Sequence, residues 1–249
     1  MLTLYQFAIS HYCEKAKWAL DYKGLTYQNV YWIPGPHLIL AKKIAPKSSV
    51  PILQDGKKII QDSTEIINYL DQHYPKISLS PQDPQLKQQA LEWENYCNQE
   101  IGPHLRRFFY YHLLPHRQLV TSLLLQKSPA YGPLLYFFTF PIIRYLMKKS
   151  MNIHQESALR SKERLNKALK KLEQSLGDKK YLVGEHFSRA DLTVASLLAP
   201  LFRPPQHPLL WPAQETLPPA LQEYTQDLES SRLAEWVRGL YAFHRKKDA

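Results

Sequence analysis

Cysteine is scarce: only Cys13 and Cys97 occur in the 249 residues, far apart in the chain. So few exclude a disulfide-stapled scaffold and suit a reducing compartment. Long apolar runs are missing too. The most apolar stretch, Tyr131–Met147, spans seventeen residues and carries Pro133, Pro141 and Arg144, whereas a bilayer helix needs about twenty apolar residues. It is expected to be a buried or groove-lining helix. Weak association with a membrane surface, helped by Lys148 and Lys149, is the alternative. The opening Met-Leu-Thr-Leu-Tyr enters a strand pattern at once and leaves no space for a signal peptide, so a cytoplasmic protein is expected. No His/Cys cluster with metal-ligand spacing occurs, and no metal is expected. Internal repeats are absent.

Positive charge, by contrast, is in excess: 32 Lys and Arg against 22 Asp and Glu, a net +10. The basic pairs Lys42-Lys43, Lys57-Lys58, Lys148-Lys149 and Lys179-Lys180 are scattered instead of forming a stripe. That dispersal argues against nucleic-acid binding, which needs a concentrated basic surface and a reading element. Most of the charge is expected to be solvated surface, with attraction of small anions or an acidic membrane left open. Hydrophobic residues at 44% and charged residues at 22% are ordinary for a globular protein with a full core.

Element types change along the chain. Leu2–Ala8 reads as a strand, Tyr12–Tyr22 as a helix stopped by Gly24, and Thr26–Trp32 as a second strand broken by Pro34-Gly35-Pro36. A short helix over Leu38–Ile44 precedes Pro46. Val50–Leu53 and Lys58–Gln61 form a hairpin about Asp55-Gly56, a type I′ signal. Ser63–Tyr74 is a helix. The order β-α-β-(α)-β-β-α implies a mixed sheet covered by helices. Residues 77–86 form a linker rich in proline and serine, and 87–249 are helical throughout. A kink is expected at Gly102-Pro103 within Gln85–Phe109, and a long helix from about Ser150 to Leu176. Ser188 and Asp191 are spaced as a capping box, while Phe202–Pro219 is too rich in proline to be regular.

Three short motifs carry chemistry. Ser10 follows the first strand and precedes the first helix, where unpaired backbone N–H groups and the helix dipole attract an anion. Taken locally, Ser10 reads first as a plain N-cap. Cys13, three residues on, is either a packed side chain or a reactive thiol of lowered pKa. Val50-Pro51 is an apolar pair interrupted by proline, read as a cis-proline loop or an edge strand. Asp62-Ser63 places an acid and a hydroxyl at a helix start, which read locally is an ordinary cap. Further on, His104, Arg107, Phe108 and Tyr111 share one helical face at i, i+3, i+4 and i+7. That face suits an apolar ligand with an anionic handle or, equally, a domain-interface core.

Taken together, Ser10-His-Tyr12-Cys13-Glu-Lys15, Ser49-Val50-Pro51-Ile52-Leu53 and Gln61-Asp62-Ser63 resemble the glutathione-binding half of a soluble glutathione S-transferase, serine-type and of a bacterial-like branch. The resemblance spans nearly the whole chain. It implies a thioredoxin-like domain over residues 1–76, followed by an all-helical substrate domain over 87–249. It also implies glutathione as co-substrate, a homodimer, and conjugation of the glutathione thiolate to a hydrophobic small molecule in detoxification. Ser10 is the implied thiol activator, because the position used by tyrosine-type members holds Gln6. Val50, before Pro51, is implied to bind the cysteinyl backbone, Asp62 and Ser63 the γ-glutamyl end, and His37 the glycyl carboxylate. Tyr12 with His104, Arg107, Phe108 and Tyr111 is implied to line the acceptor pocket. Two alternatives stand beside this reading: glutathione-dependent thiol exchange at Cys13, and non-catalytic binding of hydrophobic ligands.

Overall fold

The computed structural model describes residues 1–245. Its first element, β1 (Leu2–Gln6), buries Leu2, Leu4 and Gln6 and leaves Thr3 and Tyr5 half-buried, the alternation of a strand with one face on a core. The strand stops before Phe7, whose N–H leaves the sheet to donate to Cys13 Sγ at 3.4 Å. Next come α1 (His11–Tyr22), β2 (Tyr27–Tyr31), α2 (His37–Ile44), β3 (Ile52–Asp55), β4 (Lys58–Gln61) and α3 (Ser63–His73). The sheet order is β2-β1-β3-β4. β1 runs parallel to β2, and β3 runs antiparallel to both β1 and β4. This is the expected thioredoxin-like mixed sheet. The hairpin differs in detail: Asp55 pairs with Lys58, so the loop is Gly56–Lys57. Of those two only Gly56 has positive φ, at 57°, which fits a type II′ turn better than the expected I′.

After a connection over 74–83 every regular element is helical, apart from a short 3₁₀ turn at Gln214–Thr216. The helices are α4 (Pro84–Glu100), α5 (Gly102–Leu113), α6 (Arg117–Leu124), α7 (Gly132–Ser150), α8 (Gln155–Leu176), α9 (Arg189–Phe202), α10 (Pro219–Leu228) and α11 (Arg232–His244). The expected kink at Gly102-Pro103 is a full break. Pro103 has no N–H to continue the ladder, and Ile101 separates α4 from α5. The long helix begins at Gln155 and not at Ser150, because Asn152 sits at a φ of 51° and His154 caps the restart. Ser188 and Asp191 do form a capping box, and Asp191 Oδ1 also accepts from Leu182 N at 2.7 Å. That box opens α9, which packs against α1, α4 and α11 and is buried almost along its whole length. A helix apolar on all sides can only be central.

Two buried polar clusters tie the halves together. In one, Glu94 on α4 takes Lys15 of α1 on one oxygen and Arg189 of α9 on the other, all three side chains at most 2% exposed. Thr64 on α3 joins it by donating to Glu94 Oε1 at 3.0 Å. In the other, Arg245 beyond α11 pairs with Glu14 and Asp21 of α1 at 2.7 and 2.6 Å. Trp18, fully buried on α1, donates its indole N–H to His244 O at 3.1 Å. The N-terminal helix is therefore gripped at both ends by the helical half.

Candidate active site

A cavity of about 700 Å³ lies between the two halves. Its floor is the β1–α1 junction. Ser10 is the N-cap of α1 with extended backbone, and its Oγ accepts from Cys13 N at 3.3 Å. One lone pair is thus used for capping, and Ser10, His11 and Tyr12 line the cavity. In an α-helix the first-turn N–H groups have no partner within the helix. The α1 terminus therefore presents a serine hydroxyl and oriented backbone donors to the same space.

The second wall is the loop before β3. The Val50–Pro51 bond is cis, and Ser48, Ser49 and Val50 line the cavity. Gln61 holds this loop in place: it accepts from Lys47 N at 3.0 Å and donates to Lys47 O and Ser49 O at 2.8 and 2.7 Å. Asp62 caps α3 by accepting from Thr64 N at 2.7 Å, and it does so at φ 96°. A positive φ is costly for a residue with a side chain and marks positions held for function. Asp62 is exposed, Ser63 is 2% exposed, and neither belongs to the cavity lining.

His37 opens α2 and lines the cavity. Its Nδ1 accepts from Gly35 N at 3.0 Å, and its ring meets Phe7 edge-on at 4.7 Å. Burial pushes its pKa down to about 4, so near neutral pH it carries no charge for a carboxylate. His11 behaves similarly. Burial, then the nearby Arg106, push it down to about 3, and its Nε2 is buried without a hydrogen-bond partner. Tyr12 is no donor to the site, since its hydroxyl already donates to Asn98 O at 2.9 Å and burial raises its pKa to about 12.

Cys13 does not meet the requirements of a reactive thiol. It is fully buried, and burial pushes its pKa up to about 12 despite the hydrogen bonds from Phe7 and Ser10 that work the other way. Lys15 likewise points away from the cavity, into the Glu94 cluster.

The α5 face differs from the one expected. Leu105, Arg106, Phe109, Tyr110 and Leu113 line the cavity, offset by about one position from the face named from spacing. His104 instead contacts Ser161 Oγ at 3.2 Å, and Arg107 donates to the same oxygen at 3.0 Å and to Met151 O at 2.9 Å. Phe108 packs edge-on against Tyr224 at 4.9 Å, and Tyr111 against His112 at 5.0 Å. The helix is apolar over more than half its circumference, and packing against α8 and α10 chose the face. The row Leu105, Phe109, Leu113, spaced i, i+4, i+8, was the signal available in the sequence. The remaining wall comes from Ile143, Met147 and Lys149 of α7 and from Arg203 and Trp211. Nε of Arg203 and Nε1 of Trp211 are buried without partners. Among the described residues three cations, Arg106, Lys149 and Arg203, line the space and no carboxylate does. Among the described residues no cluster of His, Cys, Asp or Glu is placed to hold a metal ion.

The first half is a thioredoxin-like sheet with a serine cap at the α1 terminus and a cis Val50–Pro51 bond, and the second half is helical. The N-terminal domain signature of the glutathione S-transferases matches residues 4–82, and the C-terminal domain signature matches residues 135–231. The chain belongs to the glutathione S-transferase superfamily and is a glutathione-dependent transferase. It is similar to glutathione S-transferase TCHQD of Arabidopsis thaliana, 26% identical over 80% of this chain and 77% of that one. Glutathione S-transferase Z1 of the same plant is 38% identical, over 37% of this chain and 42% of its own length. Among solved structures, a glutathione S-transferase from Xanthobacter autotrophicus superposes with a TM-score of 0.64 at 16% identity, covering 99% of this chain and 96% of the other.

Proposed function

We propose that the chain works as a serine-type glutathione transferase in which Ser10 donates a hydrogen bond to the glutathione thiolate. The bound sulfur then attacks an electrophilic, largely apolar acceptor in the adjoining cavity. The supporting observation is the placement of Ser10: an N-cap on the cavity floor, which Ser49 and Val50 also line. The dipole of α1 adds a second stabilisation of negative sulfur. Val50 offers backbone groups to the cysteinyl unit, and Asp62 with Ser63 takes the γ-glutamyl end. Arg106, Lys149 and Arg203, with no carboxylate among them, favour acceptors that carry an anionic group on an apolar body. A homodimer in the cytoplasm, acting in detoxification, completes the proposal.

The test is Ser10→Ala. A hydrogen bond to a charged group is worth about 1.5–3 kcal/mol, so kcat/KM toward an aromatic electrophile should fall roughly ten- to a hundredfold. The pKa of the bound thiol, followed by thiolate absorbance, should rise by about one to two units. Unchanged values of both would remove Ser10 from the chemistry. The alternative at Cys13 has no support, given the buried, protonated thiol.

A further inference from the structure

The opposite face of α7 has no role in the cavity. Ile143 and Met147 look inward to the cavity, whereas Leu134, Phe137, Phe138, Ile142 and Tyr145 are each between 62 and 70% exposed. Leu134, Phe138, Ile142 and Tyr145 recur at i, i+4, i+8 and i+11, so they form one stripe down the outside of the helix. Two-thirds exposure of five large side chains leaves an apolar patch on the order of 500 Å² or more, as large as the largest patch on a typical monomer. Patches of that size mark interaction surfaces.

The electrostatics of this region are one-sided. From residue 101 to residue 155 the chain has seven Lys and Arg and no Asp or Glu. On α7 itself Lys148 lies in the last turn, beside the cavity-lining Lys149, and Arg144 lies one turn earlier. Arg117 lies over the rings of Phe137 and Phe140 at 5.6 and 5.5 Å. An apolar stripe bearing aromatic residues, edged by cations and free of acids, is the composition of a helix that lies in a lipid interface. No helix among the described residues is long and apolar enough to cross a membrane. A second copy of the chain fits less well. A two-fold contact through this face would bring the cations of one copy toward a partner helix that itself carries Arg144 and Lys148 and no carboxylate.

We propose that the outer face of α7 docks on an anionic lipid surface, with the stripe in the headgroup–acyl boundary and the flanking cations on lipid phosphates and carboxylates. Because the inner face of the same helix walls the cavity, docking brings the acceptor site next to the lipid phase, where apolar compounds concentrate.

Flotation of the full-length protein with phosphatidylcholine vesicles, with and without about 30% phosphatidylserine, tests this. The protein should float with the anionic vesicles at low salt and release as salt is raised. Phe138→Asp/Ile142→Asp should cut the bound fraction at least tenfold, while conjugation of a water-soluble electrophile stays at the parent rate. Lys148→Glu, a single surface change, should weaken binding to anionic vesicles severalfold without altering the circular dichroism spectrum. No flotation of the parent, equal flotation with neutral vesicles, or undiminished binding by the double variant overturns the proposal. So does loss of a dimer in light scattering of the double variant when the parent binds no vesicle.

Discussion

Replacing Glu94 by glutamine tests what joins the two halves. The carboxylate is 1% exposed and serves three donors, namely Lys15, Arg189 and Thr64. Glutamine keeps the shape but removes the charge and turns an amide N–H₂ toward a cation. If that cation is Lys15, it keeps only Thr64 Oγ1 at 3.1 Å and Asn98 Oδ1 at 3.4 Å. If it is Arg189, it keeps only Ser80 Oγ at 3.2 Å, and its Nη2 already lacks a partner. Breaking a buried pair and stranding its partner costs about 3–5 kcal/mol. For a chain of this size that is roughly 6–20 °C in Tm. Circular dichroism melts and urea midpoints measure it, with Glu100→Gln as the control. Its partner Arg164 is 58% exposed, and exposed pairs contribute at most about 1 kcal/mol.

The pH dependence adds a signature. Burial alone would raise the Glu94 pKa, but Lys15 and Arg189 hold it below its ordinary 4.5. A carboxylate depressed on folding stabilises above its unfolded pKa and loses that contribution as pH falls through the folded value. The gap between parent and Glu94→Gln should therefore be full at pH 7 and shrink below about pH 4.5. Because Lys15 lies on α1 and Thr64 on α3, the variant should also raise the KM for glutathione. A variant within 1 kcal/mol of the parent at pH 7, with unchanged KM, would refute the reasoning.

Two further outcomes can be checked alongside. Gly102→Ala places a Cβ 2.1 Å from Tyr12 Oη, so overpacking should cost about 1–3 kcal/mol in urea denaturation and displace Tyr12 from the cavity wall, changing the acceptor KM. An unaltered KM and stability would mean the contact relaxes freely. An aromatic disulfide reagent at pH 8 should find neither cysteine in the native protein and both after denaturation, since Cys13 and Cys97 are fully buried and burial raises both thiols. Rapid stoichiometric labelling of native Cys13 would restore the thiol-exchange reading.

The sequence by itself determined what local chemistry controls. The strand–turn–helix at Ser10, the cap at Asp62 and the box from Ser188 to Asp191 each follow from a hydroxyl or carboxylate meeting unpaired N–H groups within a few residues. The order of strands and helices along the first half followed from alternation, proline breaks and a glycine turn, whereas the strand order within the sheet came from the structure. Long-range packing decided the rest. Which face of α5 meets the cavity depends on where α8 and α10 press, because Leu105, Phe108 and Phe109 are all apolar enough to serve either side. The charge state of Cys13 depends on burial by distant segments, so a first-turn position that suggested a reactive thiol is a buried one whose pKa is pushed up. Lys15 looked like part of the site and became the partner of a glutamate 79 residues away, because a buried cation is stable only where the fold brings it a carboxylate.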